Sequence, residues 1–304
     1  MSQEIVRNED KNRICGGTLY LVATPIGNLA DLSERAIKVL SEVDFIAAED
    51  TRNSLRLLTH FGISKPMVSY HEHNRRERGE EIALRLSEGE SCALITDAGT
   101  PAISDPGEDL VALCAERSIP VTSVPGACAM ITALTLSGLP TSRFSFEGFL
   151  PVPKKERRER LEELAQETRT FLLHEAPHKL RATLADLEKT LGGDRRIALC
   201  RELTKMNEEV LRVTVAEAVA LYETREPRGE YVLVIEGGAR KRNIVSAVET
   251  MTVEEMKQYI LDHMARHKVP RYIDFVEKFP MNAAGKILKY KMREEAAERL
   301  GLKK

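Results

Sequence analysis

Cys92–Glu116 reads CALITDAGTPAISDPGEDLVALCAE. A short apolar run, Cys92–Thr96, breaks into a loop carrying two glycines, two prolines and two aspartates, and an amphipathic run, Gly107–Glu116, follows. Strand, special loop and helix in that order are the unit of an α/β sheet. The loop Thr96–Gly107 is richer than a plain connection requires. Its glycines let backbone N–H and C=O groups approach a polar ligand closely, and its prolines pre-set the turns.

Outward from this unit the alternation continues. Strand-like runs fall at Thr18–Thr24, Phe45–Ala48, Val121–Val124, Thr170–His174, Ile197–Cys200 and Tyr231–Glu236. Amphipathic stretches lie between them at Ser33–Ser41, Arg75–Glu88, Ala127–Ser137, Lys154–Thr168 and Lys179–Leu191. An α/β class follows. Two further loops stand at strand ends: VATPIGNLAD, Val22–Asp31, and SVPGACA, Ser123–Ala129. Neither carries the G-x-G-x-x-G of a dinucleotide site. Ligands of open α/β sheets collect at the carboxyl ends of strands, so the three loops together predict a crevice for a nucleoside-like small molecule.

Phe149–Lys155, FLPVPKK, switches from apolar to charged sequence through two prolines, and GGARKRN at Gly237–Asn243 follows the last strand. Domains are therefore expected at 17–150 and 151–238, after a disordered arm at 1–16 and before a small α+β appendage at 239–304. The 304 residues hold 45 Lys and Arg against 47 Asp and Glu, with 42% hydrophobic and 30% charged residues, which excludes disordered and fibrous classes. The charge is uneven. Arg240–Lys304 carries 15 basic and 9 acidic residues, net +6, a balance that suits either a solvated helix face or a polyanionic partner. No apolar run is long enough to span a membrane and the first residues are charged, so a cytoplasmic location is expected. Cys15, Cys92, Cys114, Cys128 and Cys200 form an odd set without a C-x-x-C pair, and read as reduced, mostly buried thiols. His71 and His73, two apart, lack helical metal-ligand spacing, and no metal is expected.

Seven segments carry a resemblance: TLYLVATPIGNLADLSERA, AEDTR, ITDAGTPAISDPG, VPGACA, EGFLP, CRELTKMNEEV and RGEYVLVIEG. Spread in order from Gly17 to Gly238, they resemble the tetrapyrrole-methylase-like superfamily of S-adenosylmethionine-dependent methyltransferases, and within it the ribosomal RNA small subunit methyltransferase I branch. The tetrapyrrole-modifying branch usually carries G-x-G-x-G-D-P in the first loop, whereas TPIGNL here is similar to the ribosomal branch. The resemblance implies a two-domain tetrapyrrole methylase-like fold with the cofactor cleft between domains. It also implies 2′-O-methylation of a decoding-region cytidine in 16S rRNA, within the small ribosomal subunit, by a homodimer.

By resemblance, S-adenosyl-L-methionine is assigned to Pro25, Ile26 and Gly27, to Asp97, Ala98, Gly99, Thr100, Ile103 and Ser104, and to Pro125, Gly126 and Ala127. Leu173, at the end of a later strand, is expected to close the cleft from the other side, and the segment near Arg228–Gly229 with it. The catalytic residue is not identified. Glu49, Asp50, Arg52 and His71, from polar segments after early strands, are acceptor-side candidates, although Asp50 or Thr51 equally suits the cap of a helix begun by Arg52–Leu58. HEHNRRERG, His71–Gly79, and KKERRER, Lys154–Arg160, offer cations to RNA phosphate or serve as ordinary solvated helix faces.

Met251–Ala296 resembles instead the last part of the C-terminal domain of adenylate-forming acyl-CoA synthetases, with Lys286 at the position of that family's adenylation lysine. This chain has no large adenylation domain for such a lysine to serve. Two alternatives to rRNA methylation remain at this point: methylation of a tetrapyrrole-like small molecule, and a non-catalytic RNA-binding or ribosome-assembly factor.

Overall fold

The computed structural model describes residues 12–238 and 253–263. Of the unit that begins at Lys241, only helix α9, Val253–His263, is described. The expected arm at 1–16 falls mostly outside the described residues, as do Lys286 and most of the appendage.

The unit up to Arg240 contains two five-stranded sheets. The first is parallel throughout, built from β1 (Leu19–Val22), β2 (Phe45–Ala48), β3 (Met67–Ser69), β4 (Cys92–Ile95) and β5 (Val121–Val124) in the order β3-β2-β4-β1-β5. Helices α1 (Glu34–Glu42), α2 (Thr51–His60), α3 (Arg75–Ser87) and α4 (Glu108–Glu116) connect its strands. Side chains alternate across each strand: Ala93 and Ile95 face the core with Val39 and Leu40, while Cys92 and Leu94 face Ile82, Leu86 and Leu110. Covering both faces explains why β2 and β4 read as continuous apolar runs.

The second sheet is mixed. Strands β6 (Phe144–Phe146), β7 (Thr170–Glu175), β8 (Arg196–Arg201), β9 (Glu209–Thr214) and β10 (Tyr231–Ile235) lie in the order β6-β7-β10-β8-β9, with only β6 and β7 parallel. One face packs on α6 (Lys154–Ala165), α7 (Pro177–Leu191) and α8 (Val215–Thr224). The other is covered by α5 (Ala129–Leu136), whose Ala133 and Leu134 meet Leu172, Ala198 and Val234. Helix α5 begins directly after β5 of the first sheet, so a single element ties the end of one sheet to the face of the other.

The structure adds elements that the sequence pattern did not mark: β3, β6, β9 and α8. Strands β3 and β6 are three half-buried residues each, too short to show a period. The thiols of Cys92, Cys114 and Cys200 are buried and free, while Cys15 is exposed. Among the described residues, no helix is long and apolar enough to cross a membrane.

The strand order places β4, β1 and β5 side by side. The three loops singled out in the sequence follow these three neighbours, and Thr24 joins two of them: its hydroxyl donates to the Thr96 carbonyl at 3.0 Å, and its backbone pairs with Gly99. Replacing buried Thr24 by isosteric valine strands the Thr96 carbonyl. We expect a loss of about 1–3 kcal/mol in denaturant-measured stability.

Candidate active site

A cavity of about 480 Å³ opens where these loops face the second sheet. Ile26 from the first loop, Ala98, Ile103, Ser104 and Asp105 from the second, and Ala129 at the start of α5 form one wall. His174 and Glu175 at the end of β7, Leu203 and Lys205 after β8, and Glu230 before β10 form the other. A small annex of about 50 Å³ adds Gly99, Thr100 and Cys128. The size is that of a small-molecule site.

Of the residues assigned by resemblance, Ile26, Ala98, Gly99, Thr100, Ile103 and Ser104 line these spaces together. Pro25, Gly27, Asp97, Pro125, Gly126 and Ala127 do not. Several of them position the others. A Cβ on Gly126 would stand 2.9 Å from the Ala23 Cβ, so only glycine lets the loop after β5 close on β1. The Ala127 carbonyl accepts from the Thr100 hydroxyl at 3.1 Å, and Asp97 accepts from the Asn53 amide at 3.0 Å. A Cβ on Gly27 would collide with the Lys205 side chain at 2.3 Å, which brings that lysine against the first loop. Leu173 is buried in the core with Leu180 and Leu184 of α7, because alternation along β7 turns its side chain away. His174, on the opposite face, reaches the cavity instead, whereas the Glu175 carboxylate shares Leu173's face and is held by Thr183 of α7.

The acceptor-side candidates also separate. Glu49 accepts from the Thr96 hydroxyl at 2.8 Å and lines an adjoining polar pocket of about 300 Å³ with Glu72, Arg75, Ser104 and Asp105. Asp50 caps α2, accepting from the Arg52 N–H at 2.8 Å, and the exposed Arg52 side chain pairs with it. His71 receives its neighbour's help at the backbone, its N–H donating to Asn74 Oδ1, while its buried Nδ1 has no partner within the protein.

Sequence reasoning missed the groups that set the electrostatics. Asp105 borders the cavity, its annex and the polar pocket. Burial, with the nearby Glu49 charge, pushes its carboxyl up to about 6. Burial pulls the Lys205 ammonium down, but hydrogen bonds to Glu230 (2.7 Å) and Glu202 (2.9 Å) outweigh it and hold it above the ordinary value. Burial holds the His174 imidazole below its ordinary value, and its Nε2 is buried without a partner within the protein. Glu175 is 4% exposed, held by the Thr183 hydroxyl and the Ala176 N–H. Asp105 was legible as the second aspartate of the loop; the others come from residues a hundred positions away.

Strain gathers here as well. Of the five non-glycine residues with positive φ among those described, Ala102, Ser104, Glu202 and Thr204 belong to the two loops that face the cavity. Such conformations cost of order 1–3 kcal/mol each, persist only where the surrounding structure over-determines them, and cluster at functional sites.

This is the fold and cleft of an S-adenosylmethionine-type tetrapyrrole methylase: residues 18–219 match the family model for Tetrapyrrole (Corrin/Porphyrin) Methylases. Solved structures with the same fold include a uroporphyrin-III-C-methyltransferase from Thermus thermophilus (TM-score 0.50, 20% identity, 72% of this chain and 94% of that one) and a cobalt precorrin-4 methyltransferase (TM-score 0.53, 17% identity, 72% and 95%). At the level of sequence the likeness is to another branch. Proteins named Ribosomal RNA small subunit methyltransferase I are 47% identical in Synechocystis over 264 residues (87% of this chain, 94% of that protein) and 51% in Halalkalibacterium halodurans over 225 residues (74% and 78%). That of Pseudomonas aeruginosa is 50% identical over 223 residues (73% and 79%). The chain belongs to the ribosomal RNA small subunit methyltransferase I family. The likeness of the tail to acyl-CoA synthetases is not borne out by these comparisons.

Replacing Asp105 by asparagine tests its place in the site. Its carboxylate is present above about pH 6 and lost below it, so calorimetric affinity for S-adenosylmethionine should fall as pH drops from 7 to 5 in the parent protein. Asp105→Asn should bind at least about tenfold more weakly at pH 7 and lose that pH dependence. Because the folded state raises this pKa above 3.8, ionised Asp105 costs stability above about pH 6. The variant should therefore melt higher than the parent at pH 8, and less so at pH 4.

Proposed function

We propose that the protein transfers a methyl group from S-adenosylmethionine to 16S rRNA of the small ribosomal subunit, at the 2′-hydroxyl of a decoding-region cytidine. The observation that carries this reading is the cavity bordered by Asp105 at the carboxyl ends of β4, β1 and β5 in a chain of this family.

The residues present fit the donor. S-adenosylmethionine has an apolar and aromatic body, hydroxyls and an amide-like edge, and carries net positive charge. Asp105 opposes that charge at the cavity wall, while Lys205 is already neutralised by Glu202 and Glu230. Ile26, Ala98, Ile103 and Leu203 supply apolar wall and keep water out. The unpartnered Nε2 of neutral His174 and the close backbone at Gly99, where a Cβ would meet Ile26 at 3.2 Å, leave a polar group and a cradle for a flat ligand.

When bound, the donor supplies a methyl already activated by its sulfonium. What remains for the protein is to hold an acceptor oxygen in line, a task worth about 7–11 kcal/mol of barrier when orientation is complete. The pocket beside Asp105 is the entrance for that acceptor, with Arg75 toward phosphate and Glu49 as the carboxylate placed to take the hydroxyl proton. Arg75 pairs with Asp109, and Arg76 beside it is exposed, so α3 presents cations next to the pocket. The tetrapyrrole reading draws on the fold and the broad family model; relatives near half identity are named for ribosomal RNA. A cytoplasmic homodimer completes the proposal.

Incubation with labelled S-adenosylmethionine and small subunits lacking their own 2′-O-methyl groups should place label on one decoding-region cytidine. Glu49→Gln should lower single-turnover transfer by about 10²–10⁴-fold with cofactor affinity intact. Label on added porphyrin precursors and none on the subunit would replace this reading with the small-molecule one.

A further inference from the structure

Phe149 is left over from the cofactor reading. It lines the cavity yet is 56% exposed, although the next residue, Leu150, is buried in the second sheet's core. Water is an unfavourable place for a phenyl ring, and a flexible loop would turn it inward. Here the backbone that carries it is held in place. The Glu147 N–H donates to the Leu172 carbonyl (2.9 Å) and the His174 N–H to the Gly148 carbonyl (2.8 Å), stitching the segment to β7. Arg160 of α6 holds the Glu147 carboxylate, and Gly148 turns with φ +63° against Ser104. Pro151 and Pro153 stiffen the exit. The ring leans on His174 with planes at 85° and centroids 5.5 Å apart, and His174 in turn meets Phe146. Its ring thus has an edge contact with His174 and no stacked partner among the described residues.

We propose that Phe149 is the stacking platform for the nucleobase of the acceptor nucleotide. The inference rests on the methyl-transfer reading above. A ribose hydroxyl can reach a methyl group inside the cavity only if its oxygen comes within about 3–3.5 Å of it, so the attached base sits at the rim. A nucleotide stacked in a helix cannot enter; one drawn out loses its neighbours and needs a flat apolar surface in their place. Phe149 provides one, with the exposed side chain of Ile103 as a second apolar element on the opposite wall. The chain then presents exposed Lys154, Lys155 and Arg158 in the next turn and a half; Lys155 and Arg158 make only long, exposed pairs with Glu159 (3.9 Å) and Glu162 (3.8 Å), which flanking phosphates can displace. A rigid ring loses little freedom on binding, which is what its pinned backbone secures.

The protein contains no tryptophan, so Phe149→Trp installs a single indole reporter. Its emission should be quenched by a decoding-region RNA oligonucleotide, and markedly less by the same oligonucleotide made abasic at the target position. Phe149→Ala should lower kcat/KM for the RNA by about 5–150-fold while the calorimetric Kd for S-adenosylmethionine stays within about twofold, and Phe149→Tyr should restore it. Equal quenching by the abasic strand, or wild-type transfer by Phe149→Ala, overturns the proposal. So does a weakened cofactor Kd in that variant, which makes the ring a cofactor wall, or a change in sedimenting mass, which makes it a contact between copies. Failure of the parent protein to methylate any RNA sinks the underlying reading instead, and is seen before any variant is made.

Discussion

The pairing of Thr24 with Gly99 decides where everything at the site can be. β1 is the strand between β4 and β5, and its exit loop crosses the exit of β4 through one isolated bridge and one buried hydroxyl. With Gly126 closed on Ala23 from the β5 side, three chain segments meet at a single strand end. These contacts lie within the protein itself. They cost the sheet little and fix the backbone of Gly99, Thr100 and Ala127, so that the surface offered to a small molecule is set before one arrives.

The second half of the site is attached by helix α5. It leaves β5 as part of one sheet and buries Ala133 and Leu134 on the other, so Ala129 lies at the junction. Across the gap, the loop Glu202–Lys205 leans on Gly27 with Glu202 and Thr204 in left-handed conformations, and Thr204 Oγ1 is buried without a partner within the protein. Facing it, Ala102 and Ser104 are strained in the same sense. Two loops held off their preferred conformations on opposite sides of one cavity indicate pre-organisation for a bound molecule rather than for the empty fold.

The sequence shows the first half of this arrangement better than the second. Strands that are buried on both faces stand out as apolar runs, and loops dense in glycine and proline advertise themselves, so β1 and β4 were readable from their apolar runs and β5, a half-buried edge strand, from its β-branched residues and the Pro-Gly exit. The cap at Asp50 was readable too, and shows why a carboxylate in a motif is not yet a catalytic one: its lone pairs serve the N–H of Arg52. By contrast, β9 carries Leu211 and Val213 only partly buried around an exposed Arg212, and α8 is apolar on nearly all sides, so neither has a clear period. Leu173 illustrates a finer limit. Motif position brought attention to the right strand end, but a strand's period of two puts His174 into the cavity and Leu173 into the core. Lys205 and Glu230 depend on pairing between β8 and β10, which no local pattern announces.

Charge completes the logic. The donor is a cation and the acceptor a polyanion, and one cleft must accept both. Asp105 is the partly buried acid of the cavity wall, while exposed cations lie on the rims of α3 and α6. Fields from exposed cations are screened over about 8–10 Å at physiological salt, whereas groups sheltered in the cavity are screened much less. RNA is therefore drawn to the rim by charge without Asp105 repelling it at long range, and the donor meets that acid at close quarters. A tetrapyrrole precursor, bearing many carboxylates on a flat macrocycle, would instead have to press anions against Asp105 and Glu49 across the shared wall of the two pockets. The same scaffold can serve either chemistry; the sign of the groups at this wall favours an acceptor that presents a neutral sugar hydroxyl inward and keeps its phosphates outside.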